Sequence, residues 1–451
     1  MQESILIIDF GSQYTQLIAR RIREINIYCE IYPFNKINKQ LLADQKPKGI
    51  ILSGGPNSVL EKNSPKIDIS IIESNIPILG ICYGLQLLSK HFGGTIKKSL
   101  SREYGNASIK INKNSKIIPK EWKLKPIKVW MSHGDHVSLC PKEFKIIAKS
   151  NNNIISVIEN SKRNIYGLQF HPEVHHTYLG FKILTNFVTK ICKVRNNWLI
   201  DDFIKVKIKE LRNIIGKHRV VCGLSGGVDS SVTAYLLDKA IGKQLYCIFV
   251  DNGLLRKNEA KEVNNYYLNK FQKNFIKVDA SKIFLKKLKN ISDPEKKRKI
   301  IGNTFIKVFD RESKKIKKVK FLAQGTLYPD VIESVPFFGG PTAKIKSHHN
   351  VGGLPKKMKL QIIEPLRELF KDEVRVLGKK LGIKDKLILR HPFPGPGLAI
   401  RIPGAITDIK INILQEVDNI FINYLKEKNL YNSIWQAFAI LLPVKSVGVM
   451  G

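Results

Sequence analysis

The chain has 451 residues, of which 43% are hydrophobic, and at roughly 150 residues per domain this length predicts about three folded units. The composition excludes an intrinsically disordered chain, and six scattered cysteines without a C-x-x-C pair argue against a disulfide-stapled mini-protein, a zinc ribbon and an iron–sulfur protein. The net charge is +38, but only 15 of the 76 basic residues are arginine and the lysines are dispersed, so the charge indicates solvated lysines rather than a specific nucleic-acid surface.

Predicted strands and helices alternate along the chain. Apolar runs predict strands and amphipathic stretches predict helices, in the order strand 5–8, helix 14–25, strand 49–52, strand 76–81, helix 84–91, strand 165–170, helix 178–190, strand 220–224, helix 230–239, strand 245–250, a lysine-rich helical pair within 286–320, and strand 321–324. This alternation predicts an α/β protein with two doubly wound, mostly parallel sheets. In such sheets the functional residues lie in the loops that follow the carboxyl ends of strands.

Two changes in composition divide the chain into three predicted domains, residues 1–192, 198–390 and 391–451. A polar stretch follows the helix predicted at 178–190 and precedes a new helix. Farther on, the sequence HPFPGPG holds three prolines and two glycines in seven residues, which excludes a helix or a central strand. The last and smallest domain is predicted to be α+β.

Localisation follows from features that the sequence lacks. The first residues carry no basic region, and the apolar run at 5–8 is far shorter than the hydrophobic part of a signal peptide. No apolar run has the length of a membrane span. The sequence therefore predicts a cytoplasmic protein without a membrane partner.

The first candidate site is centred on Cys82. The sequence GICYG joins a buried strand to a helix, which is the cysteine form of a nucleophile elbow. A helix N-terminus beside the sulfur stabilises a thiolate. A lone cysteine at a strand end is more often a small core residue, so the motif needs partners before it indicates catalysis.

Such partners occur on both sides of Cys82 in the chain. The strand at 165–170 ends in QFHPE, so His171 is a candidate base and Glu173 is placed to orient it. An acyl-transfer intermediate also needs backbone donors for its oxyanion, and the loop SGGP, which contains Gly55, together with the amide of Tyr83, can supply them. The three motifs together favour a catalytic cysteine over a structural one.

This combination resembles the class I glutamine amidotransferases over residues 1 to about 190. The resemblance implies that Cys82 attacks the side-chain amide of glutamine, that His171 transfers the proton and that Glu173 orients His171. It also implies that glutamine is held by Gly55, Gln86, Gly134 and Asp135, the last two within the sequence MSHGD.

The second candidate site is a glycine-rich loop between a strand and a helix. The loop reads SGGVDSS, from Ser225 through Gly226, Gly227, Val228, Asp229 and Ser230 to Ser231. Its amides and hydroxyls at a helix N-terminus form an anion cradle, but it has no Walker lysine. The competing interpretation is an ordinary turn in which Asp229 caps the helix. A carboxylate in a phosphate loop is better explained if Mg²⁺ links it to the phosphates.

The loop resembles the signature of the ATP pyrophosphatases, which adenylate a substrate and release pyrophosphate. Together with VDNGLLR, LAQGTLYPD, KSHHNVGG and HPFPGPG, and with DFGSQY near the N-terminus, it resembles the glutamine-hydrolysing GMP synthase family over essentially the whole chain. That resemblance implies conversion of xanthosine monophosphate (XMP) to GMP with glutamine, ATP and Mg²⁺, and no organic cofactor. Ammonia from the Cys82 site displaces AMP from the adenylated O2 of the purine.

The same resemblance extends to further residues and to assembly. It implies that the loop 225–231 binds pyrophosphate, that Val250 lies beside adenosine and that Lys346 neutralises phosphate charge. Arg298 is a candidate for XMP binding, although an arginine in so basic a chain is more often solvated. The family forms homodimers through its last domain and continues beyond Gly451, so that domain is expected to be incomplete here.

Three other functions compete with this interpretation. One is a glutaminase-coupled synthetase that acts on another adenylated acceptor, which would lack the sequences KSHHNVGG and HPFPGPG. A second is an RNA-binding or tRNA-modifying protein, suggested by the charge of +38. The third is a shortened paralogue that acts as a glutaminase alone, which only the early C-terminus supports.

Overall fold

The computed structural model of the chain describes residues 3–123, 126–333, 360–393 and 395–444. The chain divides into two compact units, one ending at Leu199 and one beginning at Ile200. Within these described ranges, no helix combines the length and the apolar character that a membrane span requires.

The first unit is built on a nine-stranded sheet. Its elements are β1 (Ile5–Asp9), α1 (Thr15–Glu24), β2 (Cys29–Pro33), α2 (Lys39–Gln45), β3 (Gly49–Leu52), α3 (Ile69–Ile72), β4 (Ile78–Ile81), α4 (Tyr83–His91), β5 (Thr95–Ile111), β6 (Ile127–Leu139), β7 (Lys145–Ser150), β8 (Ile155–Asn160), β9 (Ile165–Leu168) and α5 (Gly180–Asn186), with one π-helical turn after α5 (Phe187–Ile191). The strand order is β2-β1-β3-β4-β9-β8-β7-β5-β6.

This sheet is mixed rather than uniformly parallel. Four strand pairs, from β2 to β9, are parallel, and the remaining four pairs are antiparallel. Strands β5 to β9 follow one another with no α-helix described between them, and strands joined by short connections pair antiparallel. The predicted α/β class is confirmed. The antiparallel half of the sheet was not predicted, because its strands are not separated by α-helices in the described part of the chain.

The second unit contains a five-stranded sheet that is parallel throughout. Its elements are α6 (Ile200–Ile215), β10 (Arg219–Leu224), α7 (Val228–Ile241), β11 (Leu245–Asp251), α8 (Glu259–Phe271), β12 (Phe275–Asp279), α9 (Ser281–Leu288), α10 (Pro294–Ser313), β13 (Val319–Ala323), α11 (Tyr328–Glu333), β14 (Gln361–Ile363), α12 (Lys371–Lys380), α13 (Asp385–Ile388) and α14 (Asp408–Glu427). The strand order β12-β11-β10-β13-β14 and the parallel pairs match the predicted doubly wound sheet.

The residues after the proline- and glycine-rich run pack onto this second sheet. Leu398, Ile402 and Leu414 share one hydrophobic core with Val221 and Ile248 of the central strands. The opposite side of α14 is apolar and exposed to solvent, with large side chains at Ile409, Ile413, Val417, Ile420, Phe421 and Tyr424. Ile409, Ile413, Val417, Ile420 and Tyr424 follow one another at spacings of three or four residues, which places them on one face of the helix, and Phe421 lies four residues after Val417 on the same side.

Candidate active sites

The turn at Cys82 depends on two glycines that lie against backbone atoms. A Cβ atom added to Gly80, at the end of β4, would lie 2.6 Å from the carbonyl carbon of Gly84. One added to Gly84 would lie 2.5 Å from the carbonyl oxygen of Leu52 in β3. Backbone atoms cannot rotate away as a flexible side chain does, so only glycine fits at both positions. This close packing lets α4 begin directly above the ends of β3 and β4.

Cys82 occupies the turn in a strained conformation. Its φ and ψ are 51° and −101°, a combination that non-glycine residues rarely adopt and that is concentrated at functional sites. Its amide donates to the carbonyl oxygen of Leu168, at 2.7 Å. The thiol sulfur lies 3.5 Å from the carbonyl oxygen of Ser132 and 3.9 Å from Nε2 of Gln169. The elbow thus brings the sulfur to β6 and to the end of β9.

His171 lies beside this sulfur and Glu173 lies beside His171. The Nδ1 atom of His171 is 2.7 Å from Oε1 of Glu173, and both residues are almost completely buried. Burial by itself lowers the pKa of His171, but the Glu173 carboxylate and a hydrogen bond with Cys82 outweigh it and raise the pKa well above its ordinary value. An imidazolium held in this way stabilises a neighbouring thiolate.

The predicted oxyanion residues lie next to this pair. A Cβ atom added to Gly54 would be 3.0 Å from Cε1 of His171, and one added to Gly55 would be 2.8 Å from the carbonyl oxygen of Phe10. Among the described residues, the Gly55 amide has no hydrogen-bond acceptor. Tyr83 is the first residue of α4, where the amide has no acceptor within the helix. Both amides therefore remain available as donors.

The residues predicted to hold glutamine form a second contact between α4 and β6. The Nε2 atom of Gln86 donates to the carbonyl oxygen of Asp135, at 2.8 Å, and the Asp135 carboxylate accepts a hydrogen bond from the hydroxyl of Ser58. Gly134 directly precedes Asp135 on β6. A Cβ atom added to Gly134 would lie 3.8 Å from the hydroxyl oxygen of Tyr104. Among the described residues, a side chain at Gly134 would thus meet only an ordinary van der Waals contact, one residue from the buried Asp135.

His133 belongs to a separate buried cluster on β6. Its Nε2 atom is 3.3 Å from Oε2 of Glu103 on the adjacent strand, and that carboxylate also accepts from Ser150 and Asn152. Burial lowers the pKa of His133 in spite of the nearby carboxylate. His133 therefore stays neutral and directs Nε2 at Glu103.

The glycine-rich loop of the second unit connects β10 to α7. The hydroxyl oxygens of Ser225 and Ser230 are 3.0 Å apart, and the Gly227 amide donates to Ser225 at 3.2 Å. Gly226 has a φ of 75°, which favours glycine. The hydroxyl of Ser231 donates to the carbonyl oxygen of Gly227, at 2.6 Å. The loop thus curls around the N-terminus of α7, where amides favour anions.

Asp229 is paired with a lysine that no sequence motif indicates. The Nζ atom of Lys371, the first residue of α12, lies 2.5 and 2.6 Å from the two carboxylate oxygens of Asp229. Each side chain is about one-third exposed, at 32% and 33%. A Cβ atom added to Gly325 would lie 3.1 to 3.2 Å from Asp229 atoms, so the LAQGTLYPD sequence also reaches the loop. Asp229 therefore already faces a cation.

A second basic residue that sequence reasoning missed holds the loop from the other side. Arg390 donates through Nη1 to the carbonyl oxygen of Gly226, at 3.0 Å, and its Nη2 is 2.7 Å from Oε1 of Glu259 on α8. It directly precedes the HPFPGPG run, and that adjacency is the one sequence signal that points to it. Arg390 thus links the segment after α13 to the glycine-rich loop.

The other predicted residues are less closely associated with the loop. Val250 is buried in β11, next to the strand's last residue, Asp251. Arg298 lies on α10, with Nη1 3.4 Å from Oε2 of Glu295 on the same helix. The buried neighbour Lys297 instead donates to three carbonyl oxygens, of Ala399, Ile402 and Gly404. Lys346 lies outside the described residues.

Family models match three parts of the chain. The model described as glutamine amidotransferase class-I matches residues 6–191, and the one described as NAD synthase matches residues 199–305. A third model, described as GMP synthase C terminal domain, matches residues 423–451. The first match contains the Cys82 elbow, and the second contains the glycine-rich loop 225–231.

Curated relatives match the chain over its whole length. A GMP synthase [glutamine-hydrolyzing] of Brachyspira hyodysenteriae is 55% identical over 100% of this chain and 87% of its own. The enzyme of that name from Cytophaga hutchinsonii is 56% identical with the same coverage, and that of Fusobacterium nucleatum is 53% identical over 99% of this chain and 86% of its own. With this identity over this length, and with a cysteine elbow and a pyrophosphatase-like loop in one chain, the protein belongs to the glutamine-hydrolysing GMP synthase family.

Proposed function

We propose that the chain converts XMP to GMP with nitrogen that it releases from glutamine at Cys82. The Cys82 thiolate attacks the side-chain carbonyl carbon of glutamine, and His171 donates a proton to the departing ammonia. Water then hydrolyses the thioester and releases glutamate. The observation that carries this assignment is the buried hydrogen bond between His171 and Glu173, together with the raised pKa of His171, to which Glu173 and Cys82 both contribute.

The neighbouring residues bind the substrate and its oxyanion. The amides of Gly55 and Tyr83 stabilise the charge that develops on the glutamine carbonyl oxygen. Gln86, Gly134 and Asp135 form the part of the site that holds the amino acid end of glutamine. The Gly55 amide, which has no acceptor among the described residues, and the contact of Gln86 with Asp135 support this division of roles.

The second unit adenylates O2 of XMP, and ammonia then attacks C2 and displaces AMP. We assign the pyrophosphate of ATP to residues 225–231 and the adenosine to the end of β11 near Val250. Arg298 is assigned to XMP because its side chain is partly exposed and, among the described residues, its one ion pair is a 3.4 Å contact with Glu295 on its own helix. Lys346 is assigned to phosphate neutralisation on the sequence alone.

Asp229 is the residue that would hold Mg²⁺ together with the phosphates of ATP. A carboxylate oxygen is a suitable ligand for this ion, which normally takes one or two carboxylates plus phosphate oxygens. Both oxygens of Asp229 already contact the cationic Nζ of Lys371, which supports a cation at this position. The bound ion would neutralise charge on the pyrophosphate leaving group.

We further propose that residues 1–192 form the amidotransferase domain, that 198–390 form the pyrophosphatase domain and that 391–451 belong to a dimerisation and nucleotide-binding domain. The apolar exposed face of α14, from Ile409 to Tyr424, supports a homodimer because contiguous exposed apolar patches mark interaction surfaces. All six cysteines are free, which supports a cytoplasmic location, where thiols stay reduced.

The decisive experiment follows XMP conversion to GMP by ultraviolet absorbance, with ATP, Mg²⁺ and either glutamine or ammonium. Wild type is expected to use both nitrogen sources, and Cys82→Ala only ammonium. If neither source gives GMP while glutamine is still hydrolysed, the synthetase assignment is wrong. Salt-resistant binding of RNA without XMP-dependent pyrophosphate release would instead favour the RNA-binding alternative.

A further inference from the structure

Ser53 is a completely buried polar residue that joins the separate pieces of the Cys82 site. It directly follows β3 and is 0% exposed. Its amide donates to the carbonyl oxygen of Ile8 in β1, at 3.0 Å, and its own carbonyl oxygen accepts from the amide of Gly84, at 3.1 Å. Ser53 is thereby fixed between β1 and the elbow helix, and its backbone is not free to shift.

The side chain of Ser53 makes two further hydrogen bonds. Its Oγ accepts from the amide of Phe10, at 3.0 Å, and donates to the carbonyl oxygen of Gly54, at 2.8 Å. The hydroxyl has one proton to donate. The carboxylate of Asp9 also interacts with the Ser53 hydroxyl. However, that carboxylate accepts its main hydrogen bonds from the Thr15 hydroxyl and the Gly11 amide.

The hydrogen bond to the Gly54 carbonyl oxygen also fixes the N–H group of Gly55, which belongs to the same peptide. A trans peptide is planar, and its carbonyl and N–H groups point in opposite directions. Holding the Gly54 oxygen toward Ser53 therefore fixes the direction of the Gly55 N–H on the other side of the same plane. Two consecutive glycines have little intrinsic resistance to rotation of that peptide, so an external hydrogen bond has to supply the orientation.

We propose that Ser53 is a positioning residue that orients the Gly54–Gly55 peptide so that the Gly55 amide faces the glutamine oxyanion. This inference rests on the proposed function, in which Cys82 is the nucleophile. Through its carbonyl oxygen Ser53 also holds Gly84, the residue after Tyr83, so the same serine aligns both donors of the oxyanion hole. The charge appears only after attack, so the effect falls on turnover more than on binding.

The test compares Ser53→Ala with the isosteric Ser53→Cys and the hydroxyl-retaining Ser53→Thr. Loss of an oxyanion donor costs about 10²- to 10³-fold in kcat, and a donor that is present but no longer held should cost at least about tenfold. Ser53→Ala and Ser53→Cys are expected to lose this factor in glutamine hydrolysis, measured with ATP, Mg²⁺ and XMP present. KM for glutamine should change by less than about threefold, because the contacts that bind glutamine before the reaction are retained.

Two further measurements separate orientation from general damage. The rate of Cys82 alkylation by iodoacetamide should be unchanged, because that reaction forms no oxyanion. Ammonium-dependent GMP formation should also be unchanged. Ser53→Thr is expected to recover most of the turnover, which a purely steric role for serine would not allow.

The matched control is Ser156→Ala. Ser156 is also 0% exposed and its hydroxyl donates to a backbone carbonyl, that of Ile154, at 3.0 Å, but it lies on β8. It should keep wild-type turnover. The inference is overturned if Ser53→Cys keeps wild-type kcat, or if Ser156→Ala loses as much as Ser53→Ala. If wild type and Cys82→Ala hydrolyse glutamine equally, the proposed function fails first and this inference with it.

Discussion

Gly80 lies so close to the backbone of Gly84 that a methyl group on Gly80 would be 2.6 Å from the Gly84 carbonyl carbon, and a methyl group on Gly84 would in turn be 2.5 Å from the carbonyl oxygen of Leu52. The spacing of the G-x-C-x-G motif is therefore a packing requirement as well as a turn requirement. Helix α4 can pack this closely on strands β3 and β4 only because neither glycine carries a side chain. The strained Cys82 lies between the two glycines in the sequence.

Gly84→Ala is expected to lower stability by about 1–3 kcal/mol, as overpacking of a closed site does, and to abolish glutamine hydrolysis. Thermal unfolding and glutaminase assays measure the two effects. Gly302→Ala on α10 is the control, since an added Cβ there meets nothing within 4 Å and alanine favours a helix. Equal behaviour of the two variants would contradict the packing argument.

Glu173→Gln is expected to reduce turnover of glutamine by about 10²-fold or more, the usual contribution of a positioned acid–base group. The carboxylate raises the pKa of His171, so its loss lowers that pKa. His171 must be protonated to release ammonia, and activity is lost as pH rises through its pKa. The alkaline limb of the pH profile should therefore move to lower pH.

The control for that profile is Glu159→Gln, which changes another buried glutamate of the same unit on β8. It should keep the wild-type alkaline limb. An alkaline limb that stays in place in Glu173→Gln would show that Glu173 does not set the protonation of His171.

Lys371→Met is expected to change the Mg²⁺ dependence of ammonium-driven GMP synthesis in two ways. The Mg²⁺ concentration for half-maximal rate should fall, because no ammonium group competes for Asp229. The maximal rate should also fall, by about tenfold or more, because the phosphates lose a nearby cation. Lys379→Met, on the same helix but in an exposed pair with Asp385, should change neither. A higher Mg²⁺ requirement in Lys371→Met would contradict competition at Asp229.

Adjacent residues on α10 should respond in opposite ways. Lys297→Met leaves three carbonyl oxygens without their donor, and about 1–3 kcal/mol of stability is expected to be lost because buried acceptors stay unpaired. Arg298→Ala should leave thermal stability unchanged and raise KM for XMP, with KM for ATP unaffected. Loss of stability in Arg298→Ala, or an unchanged KM for XMP, would remove Arg298 from the substrate site.

The parts of both sites that are local in sequence could be predicted from the sequence. The Cys82 elbow, His171 with Glu173, and the loop 225–231 each lie at a strand end whose apolar run is visible in the sequence, and the strand–loop–helix order fixes where they point. The strand boundaries agree closely as well: residues 49–52 were predicted and β3 is Gly49–Leu52.

The missed residues reach their sites through tertiary contacts. Lys371 is 142 positions from Asp229, and Arg390 is 164 positions from Gly226. Neither belongs to a motif, and a chain with 76 basic residues gives no reason to choose them. Ser53 belongs to the SGGP sequence, but its proposed role depends on the direction of one hydroxyl hydrogen bond, which no spacing encodes.

The Lys371–Asp229 pair has a consequence for which metal species the loop admits. A bare divalent ion that takes Asp229 leaves the Lys371 ammonium beside a second positive charge, with its only described anionic partner gone. A metal that arrives on a nucleotide brings phosphate oxygens, which give the displaced ammonium a new partner. If Asp229 holds Mg²⁺ as proposed, we therefore expect the loop to disfavour a free metal ion and to bind metal and nucleotide together.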